Sequence, residues 1–92
     1  MTRAEFEKYL IQVDGWRVVD DQKLTKDFKF KNFTLAMDFI NQIARIAEKE
    51  DHHPDILLHS YNHVTLTLST HAIRGLSIND FILAFRIDSL VS

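Results

Sequence analysis

The chain has 92 residues, 46% hydrophobic and 26% charged, with eleven Lys plus Arg against thirteen Asp plus Glu, five His, one Trp and no Cys. That is the size of one domain covering residues 1–92, and a chain this short buries only about 60% of its unfolded surface, so a symmetric oligomer is expected to complete its core. The lack of Cys excludes disulfides, thiol nucleophiles, iron–sulfur clusters and Cys-type zinc fingers, and a net charge of −2 supplies no general attraction to nucleic acid.

A chain without Cys fits a reducing compartment, the cytoplasm by default. No stretch approaches the roughly 20 apolar residues of a membrane span, and Met1-Thr2-Arg3-Ala4-Glu5 lacks the apolar centre of a signal peptide, so neither membrane insertion nor export is expected.

Taken in chain order, Thr2-Arg3-Ala4-Glu5 has the form of a capping box, and Phe6, Tyr9, Leu10 and Val13 follow at helical spacing. The pattern predicts a first helix from Arg3 to Gln12, stopping near Asp14-Gly15. Trp16–Val19 and Leu24–Lys31 flank the polar Asp20-Asp21-Gln22-Lys23 and read as a hairpin with one wet face. From Phe33 to Glu50, Ala36, Phe39, Ile40, Ile43, Ala44 and Ala47 trace one stripe of a long central helix, which Pro54 is expected to end. Ile56–Tyr61 and Val64–Thr70, separated by Asn62-His63, form a second hairpin in which Val64, Leu66 and Leu68 alternate with Thr65, Thr67 and Ser69.

Ser77-Ile78-Asn79-Asp80 has the form of a helix start, opening a last helix from Ile78 to Leu90. Its apolar residues fall on two stripes, Ile78, Phe81, Ile82 and Phe85 on one and Leu83, Ile87, Leu90 and Val91 on the other. That is wider than one sheet surface covers and points to a subunit contact. The order helix, hairpin, helix, hairpin, helix predicts an α+β domain with helices on one face of a four-stranded antiparallel sheet.

Histidine titrates nearest neutrality, so a group of His is where acid–base work needs least tuning. His52 and His53 are adjacent, and an extended backbone sends their rings in opposite directions, so they are not expected to do the same job. Just upstream, Glu48, Glu50 and Asp51 crowd a helix C-terminus, where the macrodipole disfavours negative charge. They read either as a solvated helix end or as carboxylates that hold an imidazole in place. Asp80 by itself is explained as the acid of a helix cap, and His71 as a polar strand terminus. His59 and His63 read as surface residues.

Together these residues satisfy one long pattern, E-x3-H-H-P-x6-Y-x9-H-x8-D, met by Glu48, His52, His53, Pro54, Tyr61, His71 and Asp80. With Gly15-Trp16, Phe28-Lys29-Phe30-Lys31, Leu66 to His71 and Gly75-Leu76-Ser77, the pattern resembles that of the pterin-4a-carbinolamine dehydratases over nearly the whole chain. The chain departs from the commonest family pattern at Ile56-Leu57, where an aromatic often follows the proline, and at Asn79, where many relatives carry a basic residue. These departures bear on substrate affinity more than on reaction type.

The resemblance implies a hydro-lyase that removes water from 4a-hydroxytetrahydropterin to give quinonoid dihydropterin, recycling the tetrahydropterin, with no metal or organic cofactor. It makes His52, His53 and His71 the active-site histidines: His52 and His71 sharing acid–base duty, His53 mainly binding the pterin ring. Glu48 would orient an imidazole, Asp80 would support His71, and Ser69 and Thr70 would contact the pyrimidine edge. It also implies a homodimer joined through sheet edges or a homotetramer packed through the last helices, and no direct nucleic-acid partner. Because animal members of the family also act as dimerisation cofactors for a transcription factor, a non-catalytic pterin-binding or dimerisation module is the alternative, with action on a different pterin beside it. A metal site among the histidines is a further competitor, but His59 and His63 are spaced across a strand turn, where their ligand atoms need not converge.

Overall fold

A computed structural model describes residues 2–73 and 75–91, apart from the side chains of Arg3 and His71. It contains α1 (Arg3–Leu10), β1 (Arg17–Val19), β2 (Lys23–Lys29), α2 (Phe33–Glu50), β3 (Asp55–His59), β4 (His63–Leu68), a short 3₁₀ turn (His71–Ile73) and α3 (Ile78–Ser89). The strands form one antiparallel sheet in the order β1-β2-β4-β3, so the α+β architecture inferred from the periodicities is the one observed.

The Thr2 hydroxyl accepts from the Glu5 amide at 3.3 Å while Glu5 takes the Thr2 amide at 3.0 Å, closing the capping box. Those Thr2 hydrogen bonds, the backbone one foremost, hold the Glu5 carboxyl below its ordinary value. α1 ends two residues before the expected Gln12, because the Gln12 and Val13 amides bond back to Tyr9 and Leu10, three residues earlier. Both hairpins are also shorter than their apolar patterns suggested. Asp20 and Asp21 (φ +52° and +56°) and Ser60 and Tyr61 (φ +51° and +55°) adopt left-handed conformations at the two turns. At the first, Gln22 N–H bonds to Val19 O at 3.0 Å, the signature of a type I′ turn, whose twist matches that of the strands. At the second, Phe30 N–H reaches Asn62 O at 2.8 Å and the Asn62 amide group returns to Phe30 O at 2.7 Å, tying the turn to the end of β2.

Strand alternation sorts the sheet into two faces. Leu24, Phe28, Val64, Leu66 and Leu68 point to the core, where α2 supplies Ala36, Phe39 and Ile43. Phe39 packs against both Phe28 and Phe30 with ring centroids 4.9 Å apart. The opposite face carries Thr25, Asp27, His59, His63, Thr65 and Thr67, paired across strands as Thr25 with Thr67, Asp27 with Thr65 and His59 with His63.

One charge points the other way. Lys26 lies on the core side, where its Nζ donates to Asp14 O at 2.6 Å and Asp88 Oδ1 at 2.9 Å, while Trp16 Nε1–H donates to Asp88 Oδ1 at 3.0 Å. This network pins the loop after α1 to the end of α3. Gly15 fits there because its φ is +78° and a Cβ would lie 3.2 Å from the Lys26 stem.

α3 buries Phe81, Leu83, Ala84 and Ile87 together with Asp80, so Phe81 belongs to the core and not to the outer stripe. Ile78, Ile82 and Phe85 remain exposed. With Tyr9, Val13 and Ile46 they line an apolar groove of about 680 Å³ between α1 and α3. Among the described residues, no helix is long and apolar enough to cross a membrane.

Candidate active site

The central helix stops before its proline. Asp51 takes the left-handed conformation (φ +51°), its amide bonds to Glu48 O at 3.4 Å, and the His52 amide bonds to Ala47 O at 3.1 Å. This paired arrangement is a Schellman motif, ended by an Asp that tolerates the conformation better than most residues. It delivers His52 and His53 into extended backbone at a fixed position relative to the helix. The acidic residues that crowd this helix end have separate partners: Glu50 takes Arg86 Nε at 2.9 Å, and Glu48 lies 3.3 Å from His53 Nε2.

The two histidines have different environments. His52, with 15% of its side chain exposed, puts Nε2 2.6 Å from Oδ1 of Asp80, which is fully buried. His53 is more than half exposed, and its contact with the exposed Glu48 is a surface pair of the kind that contributes little stability.

Asp80 occupies the third position of α3. Its Oδ2 accepts the Ser77 amide at 2.9 Å and the Thr70 hydroxyl at 2.9 Å, while Oδ1 faces His52. Thr70 Oγ1 is also 2.7 Å from Ser77 Oγ. Since Thr70 has one hydroxyl hydrogen and gives it to Asp80, Ser77 must be the donor in that pair. The result is a directed network in which Ser77 donates to Thr70, Thr70 donates to Asp80, and Asp80 accepts from His52 Nε2. Among the described residues the other ring nitrogen of His52, Nδ1, has no hydrogen-bond partner.

The carboxylate of Asp80 is joined to His52; the expected neighbour, His71, has its side chain outside the described residues. Thr70 has no donor left for a ligand, because its amide bonds to Gly75 O at 2.8 Å and its hydroxyl hydrogen is on Asp80. Ser69 is half-buried in the segment leaving β4 and takes no part in the network. The backbone of His71 opens the 3₁₀ turn enclosed by the Thr70–Gly75 bridge, so it is not a strand terminus; its side chain lies outside the described residues. Tyr61 is in the β3–β4 turn, at the opposite end of the sheet from His52.

A small cleft of about 140 Å³ opens at His52, bordered by Glu50, Asp51, Asn79, Ile82 and Leu83. Ile82 also lines the much larger α1–α3 groove, which contains no titratable pair comparable to His52–Asp80 among the described residues. The His52–Asp80 pair thus opens on the small polar cleft and not on the larger apolar one.

Comparison with known proteins identifies the family. A protein of Hydrogenovibrio crunogenus, provisionally named a pterin-4-alpha-carbinolamine dehydratase, is 50% identical over 92 residues, covering 99% of this chain and 80% of its own. Pterin-4-alpha-carbinolamine dehydratase 2, mitochondrial, of Arabidopsis thaliana is 43% identical over 98% of this chain and half of its own. The crystal structure of a transcriptional coactivator/pterin dehydratase from Brucella melitensis superimposes with a TM-score of 0.93 at 38% identity, covering 100% of this chain and 98% of that one. A pterin dehydratase-like protein described as a RuBisCO assembly factor in the alpha-carboxysome shares the fold, with a TM-score of 0.70 at 24% identity over 83% of this chain and 88% of its own. The family model described as pterin 4 alpha carbinolamine dehydratase matches residues 1–90, and the chain belongs to that family.

Proposed function

We propose that this protein is a hydro-lyase that dehydrates 4a-hydroxytetrahydropterin to quinonoid dihydropterin. The reaction breaks the C4a–O bond, forms the C4a=N5 double bond and releases the N5 proton and the hydroxyl as water, with no change in oxidation level. It needs one acid at the departing hydroxyl and one base at N5–H, and neither a metal nor an organic cofactor. The observation that carries this reading is the His52–Asp80 pair, a largely buried imidazole fixed through one nitrogen by a buried carboxylate, leaving the other at a cleft.

In this reading His52 and His71 divide the acid and base roles, and His53 contacts the pterin ring with Glu48 at its side. Asp80 and Thr70 are positioning residues that act through His52, and Ser69 lies near the heterocycle edge. The exposed apolar stripe of α3 supports self-association as a homodimer or homotetramer, which light scattering checks directly: a species of about 11 kDa at micromolar concentration would contradict it.

The test is the rate of quinonoid dihydropterin formation from freshly generated 4a-hydroxytetrahydropterin. A rate well above the spontaneous reaction is expected. A folded protein with no such rate would instead be a binding or dimerisation module on this scaffold; the Brucella protein is itself named a transcriptional coactivator as well as a pterin dehydratase.

A further inference from the structure

We propose that Asp27, His59 and His63 form a binding site for a divalent transition-metal cation of the zinc class on the open face of the sheet. The site is separate from the His52–Asp80 pair. β3 begins at Asp55, just after the His52 segment, and ends at His59, about 13 Å further along the sheet at ~3.3 Å per residue.

The three side chains come from three neighbouring strands and meet through register alone. Asp27 stands opposite Thr65, and His59 opposite His63, all on the face away from the helices. His63 Nδ1 lies 3.0 Å from Asp27 Oδ2, His59 Nε2 lies 3.2 Å from Asp27 Oδ1, and the three donor atoms all fall within 4.8 Å of one another. The two imidazoles stack with centroids 5.3 Å apart. In the metal-free protein each neutral ring can donate one N–H toward this carboxylate, and His59 Nε2 also lies 2.9 Å from Thr65 Oγ1. With those nitrogens deprotonated and the protons on the other ring atoms, the same convergence offers one metal ion two imidazole lone pairs and a carboxylate at once.

The donor chemistry selects the cation. Two imidazoles and a carboxylate, without thiolate, suit zinc, nickel or copper over calcium or magnesium, which prefer all-oxygen shells. Tetrahedral zinc with bonds of ~2.0–2.1 Å sets its ligands about 3.3 Å apart. The carboxylate–imidazole separations are already close to that, and both rings are exposed enough (39% and 27%) to close the remaining gap by rotation.

An outer contact is also present. The Thr65 hydroxyl donates to Asp27 Oδ1 at 2.7 Å, fixing the carboxylate as second partners do in built metal sites. With three protein ligands on an open face, water fills the remaining coordination position.

The test is titration of tag-free protein with zinc chloride by calorimetry at pH 7.5. One zinc per chain is expected, with affinity falling at least about tenfold in His59→Ala and in His63→Ala and unchanged in the His52→Ala and His53→Ala controls. Asp27→Asn, which keeps the shape of the side chain, should lose affinity similarly, and Thr65→Val by about tenfold. Circular dichroism verifies that each variant is folded. Absence of saturable binding to the wild type, or binding that survives both His59→Ala and His63→Ala, overturns the proposal. Neither result depends on whether the protein is a dehydratase.

Discussion

Replacing Asp80 by Asn separates the chemical role of this residue from its service to the helix. The side chain keeps its shape, and the amide oxygen still accepts the Ser77 amide and the Thr70 hydroxyl, each now 2.9 Å from Oδ2. The amide nitrogen, however, falls where Oδ1 stood, 2.6 Å from His52 Nε2, and presents hydrogens where a carboxylate accepted one. His52 must then accept at Nε2, and the neutral ring carries its proton at Nδ1, the reverse of the native tautomer.

Hydrogen bonds to a charged partner contribute about 1.5–3 kcal/mol and neutral ones about 0.5–1.5, so loss of the charge at three contacts costs on the order of 3–4 kcal/mol. Turnover should fall by about 10²–10⁴, the range for a displaced general acid or base. The assays are urea denaturation, quinonoid dihydropterin formation and ¹⁵N NMR of the His52 ring, which reports the tautomer. If Asp80→Asn stays folded, reverses the tautomer and turns over like wild type, the directed network plays no part in catalysis and Asp80 is only a helix cap.

Three further outcomes follow from the packing and charges. Asp88→Ala removes the acceptor shared by Lys26 and Trp16 and should cost about 1–3 kcal/mol in denaturant midpoint experiments; an unchanged midpoint would show that the loop after α1 is anchored otherwise. Leu66→Ala, at a fully buried position in a central strand, should cost about 2–5 kcal/mol in the same measurement. Because the folded-state value of Asp27 is depressed, its contribution is complete above the unfolded aspartate pKa of about 3.9 and is lost as pH falls through the lower folded value; the stability gap between wild type and Asp27→Asn should narrow below about pH 4, and a gap constant down to pH 2 would contradict this.

How far the fold could be read from the sequence depended on what set each boundary. The span of α2 matched residue for residue, Phe33 to Glu50, because a continuous apolar stripe marks it. The hairpin ends were misplaced by one or two residues because Asp20, Asp21, Ser60 and Tyr61 take left-handed conformations without Gly or Asn to announce them. The end of α2 was attributed to Pro54, yet the Asp51 Schellman turn acts first. At the candidate site, the motif pointed to His52, His53 and Asp80, but which histidine receives Asp80 depends on how α3 meets the end of α2, a tertiary contact between residues 28 apart in the chain. His59 and His63 were set aside because helical spacing is the usual signal for paired ligands. Their convergence on Asp27 comes from strand register, which the spacing within one segment does not contain.

The measurement that bears most directly on the account is the catalysed rate of 4a-hydroxytetrahydropterin dehydration in wild type, His52→Ala and His71→Ala, each set against the spontaneous background. The account predicts fast turnover in wild type and a loss of about 10²–10⁴ in each variant with the fold retained. Turnover in folded His52→Ala equal to that of wild type would contradict it, since the largely buried imidazole held by Asp80 is the feature on which the assignment rests.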